Sequence, residues 1–330
     1  MIRNNGVRLA CRSIVHTGMA MMFAVAAIAS ETDQYYQRSE PLADSSQALN
    51  QKVNETLAEI VAQWEKGPDR KAFVGDVFDR LGGYGLVDEL ERWAVKSPQV
   101  EKRQMSKSDS IYGGLPPWAI RTVAFSDLGK TVRINDQLIG LDKISHFLSQ
   151  GRKFYRRFLQ YGSVEKASKH SVYTERAIFG SRSTGSFSNA DLVANYEGHL
   201  FYRSLFEDHA VPGKVAILRW EGDHWVVQRE FDWADHVNEY WDEALNINRF
   251  DRLLYTHMRR KLTILCPQYW ESPALYTIEN EEVLKARYAK LGLRESRHLR
   301  LDTLCLTEPP PGNEGLYVSA EKIVVRSERF

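Results

Sequence analysis

The stretch from Asp142 to Gly198 constrains the fold of this chain more than any other part of it. It reads DKISHF, then YTERAIFG with Glu175 inside it, then SNADLVANYEG. Leu141, Ile144, Phe147, Leu148, Phe154, Phe158 and Leu159 recur at helical steps, so Leu141 to Leu159 predicts a helix with a broad apolar face. Val164 to Phe179 predicts a second helix returning beside the first. A third begins after Ser188, which suits an N-cap, with Asp191 three residues on as a capping-box-like partner. Three consecutive helices therefore carry an imidazole, three carboxylates, a lysine and an amide.

Asp142 and His146 stand four residues apart, which on a helix puts their Cβ atoms about 5–6 Å apart on one face. Lys143 is expected to point about 100° away. Asp191, Asn195 and Gly198 follow one another at four- and three-residue steps and share a face, where Gly198 admits the backbone of another helix. The loop Arg182 to Ser186 feeds a helix start whose free amides favour an anion.

Three readings of these residues are open. In the first, His146, Asp142, Glu175 and Asp191 hold a divalent metal, and one imidazole among carboxylates suits Mn, Mg or Fe better than structural Zn. Such a metal activates water for hydrolysis. In the second, His146 is a metal-free general base held by Asp142 or Glu175. In the third, the cluster is a buried polar network that pins three helices in register. Lys143, Ser188, Asn195 and Gly198 support the site in each.

The order DKxxHF, a helical Glu, then SxxDLxxNxxG resembles the signature of the VanZ-like family of bacterial envelope proteins and of related periplasmic lipoproteins. The residues that carry it are Asp142, Lys143, His146, Phe147, Glu175, Ser188, Asp191, Leu192, Asn195 and Gly198. VanZ-like proteins place them on transmembrane helices, whereas Arg152, Lys153, Arg156 and Arg157 here rule out a membrane span. The resemblance implies an envelope location and a shared polar cluster, with a lipid, peptidoglycan or protein component of the envelope as partner.

Residues 1–29 read as a secretory signal peptide. Arg3, Arg8 and Arg12 precede the apolar run Ile14 to Ala26, and Ala27-Ile28-Ala29 is a small-x-small cleavage site. Cleavage near Ala29 predicts a periplasmic or secreted protein with no transmembrane span in the mature chain. It also changes 44 basic and 43 acidic side chains to 41 and 43, which argues against a nucleic-acid partner. The two cysteines left, Cys266 and Cys305, are expected to form a disulfide in an oxidising compartment.

The remaining pattern is mainly α, an α+β chain with a small β element. Residues 30–45 read as an extended mature N-terminus, and 46–330 as a mostly helical domain with its polar site in 140–206. Helices are expected over Ser46 to about Gly67, Arg70–Leu81, Leu86–Val95, Asn248–Leu265 and Glu281–Leu291. Val100 to Pro117 is a surface connection. Asn135-Asp136 makes a tight turn, Glu221-Gly222-Asp223-His224 closes a hairpin near 215–231, and Leu316–Arg326 is β-like. Trp220, Trp225, Trp233, Tyr240, Trp241, Tyr269 and Trp270 form core, or, if exposed in one groove, a binding surface for glycan or peptide.

Overall fold

The computed structural model describes residues 31–84, 87–115, 128–179 and 185–307, with the side chains of 178 and 179 excepted. The signal-peptide stretch, Arg182 to Thr184 and Leu316 to Arg326 lie outside the described residues.

The apolar stripe of Leu49, Val53, Leu57 and Ile60 buries one face of α1 (Ser46–Ala62). This helix stops at Ala62 rather than near Gly67. From there the chain turns, and the Trp64 indole donates to the Gly67 carbonyl at 2.6 Å. α2 (Arg70–Leu81) is capped by Asp69, whose side chain accepts from the Ala72 amide, and α3 (Glu89–Lys96) follows.

β1 (Thr131–Ile134) and β2 (Gln137–Gly140) pair antiparallel. Asn135 and Asp136 turn between them with φ of 49° and 60°, the left-handed conformation a two-residue hairpin turn demands. This hairpin delivers the chain directly into the long central helix. That helix opens as α4 (Asp142–Ser145), widens into a π turn over His146–Gln150 and continues as α5 (Gly151–Tyr161). Gly162 ends it in a left-handed conformation, φ 61°. α6 (Val164–Thr174), capped by Ser163, also closes in a π turn, Glu175–Phe179.

β3 (Ser186–Phe187) leads into α7 (Asn189–Ser204), buried along nearly its whole length. A helix apolar or satisfied on every side belongs at the centre of a fold. α5 crosses it at two glycines, Gly151 and Gly198, and Phe147 packs at 5.3 Å against Phe201 of α7. Trp233, His236 and Trp241 surround the same ring.

β4 (Leu218–Glu221) and β5 (His224–Val227) form the expected hairpin around Gly222, φ 62°. β6 (Arg249–Phe250) pairs with β3, joining the entry to α7 to the C-terminal helices. These are α8 (Arg252–Thr263), α9 (Cys266–Glu271), α10 (Glu281–Tyr288) and α11 (Leu301–Thr307). Leu254, Met258, Leu262 and Leu304 build a second apolar cluster there, and a Cys266–Cys305 disulfide ties α9 to α11.

Residues 31–45 are not extended. Thr32 to Tyr35 are buried because Asp33 accepts the Tyr35 amide at 2.8 Å and the Ile111 amide at 2.8 Å, which folds the segment onto the body of the protein. Of the seven candidate binding aromatics, Trp225, Trp233, Tyr240 and Trp241 are core. Trp220 packs on one apolar cluster and Tyr269 and Trp270 on the other, so the seven do not share a groove. Among the described residues, no helix is long and apolar enough to cross a membrane.

Candidate functional site

Each helix brings a defined part of the site. β2 ends at Gly140, where only a glycine fits: a Cβ there would meet Asp142 Oδ1 at 2.3 Å and Thr32 Oγ1 at 2.6 Å. Asp142 thus opens α4, and His146 stands one turn on, at the first residue of the π turn. Opposite them, Ser188 caps α7 by accepting the Asp191 amide at 3.1 Å. The glycine crossing brings Asp191 and Asn195 of α7 against α4. One ligand atom each from Asp142, His146 and Asp191 lies within 4.8 Å of the other two.

Lys143 does not point away from this group. Its ammonium is buried at the centre, 2.8 Å from Asp142 Oδ2, 2.7 Å from Asp191 Oδ1 and 2.8 Å from Glu243 Oε1. The 100° step locates its Cβ, but four methylenes reach back around the helix. Burial alone would release its proton; Asp142, Asp191 and Glu243 reverse this and hold the lysine well above its ordinary range.

Asp191 faces two side chains at once. Its Oδ1 meets Lys143 and its Oδ2 lies 3.1 Å from His146 Nε2. Burial pushes its carboxyl up, but His146 and Lys143 hold it below the usual range. The other ring nitrogen of His146, Nδ1, is 3.1 Å from Asn195 Oδ1. When Nδ1–H donates to that oxygen, Nε2 presents a lone pair to a carboxylate oxygen. Two acceptors that close require a proton or a metal ion between them. Asp142 and His146 keep partial contact with solvent, with side chains 23% and 15% exposed.

Glu175 lies outside the Asp142–His146–Asp191 group. Its Oε1 accepts the Ser188 amide at 3.0 Å. That is the reciprocal half of the cap that Asp191 was expected to supply; Asp191 is instead engaged with Lys143 and His146. Burial, reinforced by Asp191, drives the Glu175 carboxyl well above its normal range. Ser188 Oγ donates to Glu243 Oε1 at 2.8 Å, which leaves the hydroxyl a positioning group.

Glu243 was not anticipated. It sits in the aromatic run Trp233–Leu245, which has no helical period, and completes the acid set around Lys143 from about a hundred residues further on. Thr32 Oγ1 donates to its other oxygen at 3.4 Å. Burial raises its carboxyl; Lys143 opposes this and Asp191 and Asp142 add to it.

A second acid pair stands on the far side of the π turn. Asp88 accepts from the Ser149 hydroxyl at 2.7 Å, and Glu91 bonds the Ser145 hydroxyl. Burial raises Asp88 to about 7 and Glu91 to about 8. Compared with models of known protein families, with characterised proteins and with solved structures, the chain matches none of them.

Proposed function

We propose that this is an exported protein of the cell envelope whose Asp142–His146–Asp191 group holds a divalent cation and uses it to activate water for hydrolysis of a phosphate or amide bond. The observation that carries the reading is the relation of His146 to its two neighbours. Asn195 Oδ1 beside Nδ1 leaves Nε2 facing Asp191 Oδ2 at 3.1 Å, and a carbonyl oxygen behind the ring is the usual support of a metal-bound histidine. Cis donors about 2.1 Å from an octahedral ion are themselves about 3 Å apart. Asp142 and His146 are the two members of the group with the greater contact with solvent. Export is supported by the disulfide and by the Arg-rich, apolar character of residues 1–29.

Lys143 favours a second reading, in which the cluster only locks the helices. Its ammonium already pairs with three carboxylates, and a protonated His146 paired with Asp191 would extend the hydrogen-bonded network without metal. Elemental analysis of the purified protein separates the two. The cation reading expects about one equivalent of a divalent metal that His146→Ala loses while still folding. A metal-free wild type whose His146→Ala variant melts far lower supports the lock.

A further inference from the structure

The N-terminal segment closes a small pocket between Glu243 and the start of β6. About 10 Å³ of space, the room one water-sized particle needs, lies there among Thr32, Gln34, Tyr35, Tyr112, Glu243 and Asn248. All six residues are buried, yet each brings a polar group.

What these side chains offer is acceptors. Gln34 Nε2 donates to Thr32 Oγ1 at 2.9 Å, which fixes the amide so that its oxygen is the other end. Gln34 Oε1 and Asn248 Oδ1 are both buried with no hydrogen-bond partner among the described residues. The hydroxyl hydrogens around them are spent. Thr32 donates to Glu243 Oε2 at 3.4 Å, Tyr35 to the Ala244 carbonyl at 3.4 Å and Tyr112 to Glu31 Oε2 at 3.2 Å. Two buried oxygens left unmatched are costly. A water would satisfy both with its two hydrogens, but no hydroxyl there has a hydrogen left to give it. A cation needs acceptors alone.

Charge points the same way. Behind Glu243 the Lys143 ammonium faces three carboxylates, Asp142, Asp191 and Glu243 itself, and Glu31 adds another acid beside Tyr112. Of the groups lining the pocket, only Glu243 carries a charge. One carboxylate among neutral carboxamide and hydroxyl oxygens is a hard donor set with a single negative charge, which suits a monovalent ion rather than a divalent one.

We propose that this pocket binds one alkali cation, Na⁺ or K⁺, through Gln34 Oε1, Asn248 Oδ1, the Thr32 hydroxyl oxygen and Glu243 Oε2. The ion ties the N-terminal segment to the entry of β6 and to the acid that completes the shell around Lys143.

The test follows thermal unfolding of the purified protein in NaCl, KCl and choline chloride at equal ionic strength. A chelator is present throughout, so no divalent ion near His146 contributes. The melting midpoint should rise saturably with Na⁺ or K⁺ and not with choline. Gln34→Met and Asn248→Leu should lose that rise, and Gln160→Met, at an exposed position on α5, should keep it. Asn248→Asp retains an oxygen and adds a charge, so its rise should be half complete at about tenfold lower salt, a gain that a merely weakened fold does not produce. An equal response to choline, a rise that survives in Gln34→Met and Asn248→Leu, or a folded Asn248→Asp that needs as much salt as the wild type overturns the proposal.

Discussion

Gly151 and Gly198 meet backbone to backbone. A Cβ on Gly151 would fall 2.7 Å from the Gly198 Cα, and one on Gly198 would fall 1.8 Å from the Phe147 carbonyl oxygen. This crossing sets the distance between α4 and α7, and with it the spacing of Asp142 and His146 from Asp191 and Asn195.

Gly198→Ala should therefore do more than lose a close contact. The methyl meets backbone, which cannot rotate aside, and overpacking of this kind costs about 3 kcal/mol. Chemical denaturation should show that loss. An equal stability would mean the helices are free to part.

Lys143→Met keeps much of the side-chain volume and removes the charge that three carboxylates share. Stranding buried acids costs about 3–5 kcal/mol at neutral pH. The deficit should shrink toward pH 4 as the acids take up protons. Melting curves at pH 7 and pH 4 test this, and a deficit independent of pH would mean the ammonium is replaceable.

The acid pair beside the π turn makes stability depend on pH in a stated direction. Asp88 and Glu91 titrate near 7 and 8 in the fold against ordinary values of 3.8 and 4.5, so the folded state binds more protons than the unfolded chain between those limits. Their contribution is complete below about pH 4 and is lost as the pH rises through 7 and 8. Asp191 has the opposite sign, since its depressed pKa is a contribution lost only as the pH falls below 3.8. Asp88→Asn with Glu91→Gln should flatten the curve between pH 5 and 8, and an unchanged slope would contradict the assignment.

Removing the Cys266–Cys305 bridge should cost about 3–4 kcal/mol, the loop-closure entropy of the 39-residue separation. Denaturation with and without reductant measures it. The loss should fall on the C-terminal helices, whose packing the bridge holds, while the centre around Phe147 stays native-like.

Much of this architecture was legible because burial writes a period into the sequence. The stripes Leu49 to Ile60 and Leu254 to Leu262, the Asn135-Asp136 and Gly222 turns, the Ser188 cap and the cysteine pair all follow from local rules. The two π turns did not, because widening a helix by one residue leaves no mark in composition. Glu243 and Thr32 were hidden for another reason: they reach Lys143's surroundings through long-range packing of segments without periodicity. Glu175 carried the right chemistry in the wrong role, since only the fold reveals that the Ser188 amide claims its carboxylate.

The central claim is a cation between His146 and Asp191, and Asn195 gives the most direct test of it. Metal-stripped protein is titrated with Mn²⁺ by calorimetry, as wild type and as Asn195→Leu, which replaces the carboxamide behind the imidazole with an apolar group of similar size. The account predicts one site in the wild type and binding weaker by about 10- to 100-fold in the variant, the usual cost of losing such support. No saturable binding in the folded wild type, or the same affinity in both proteins, would contradict it.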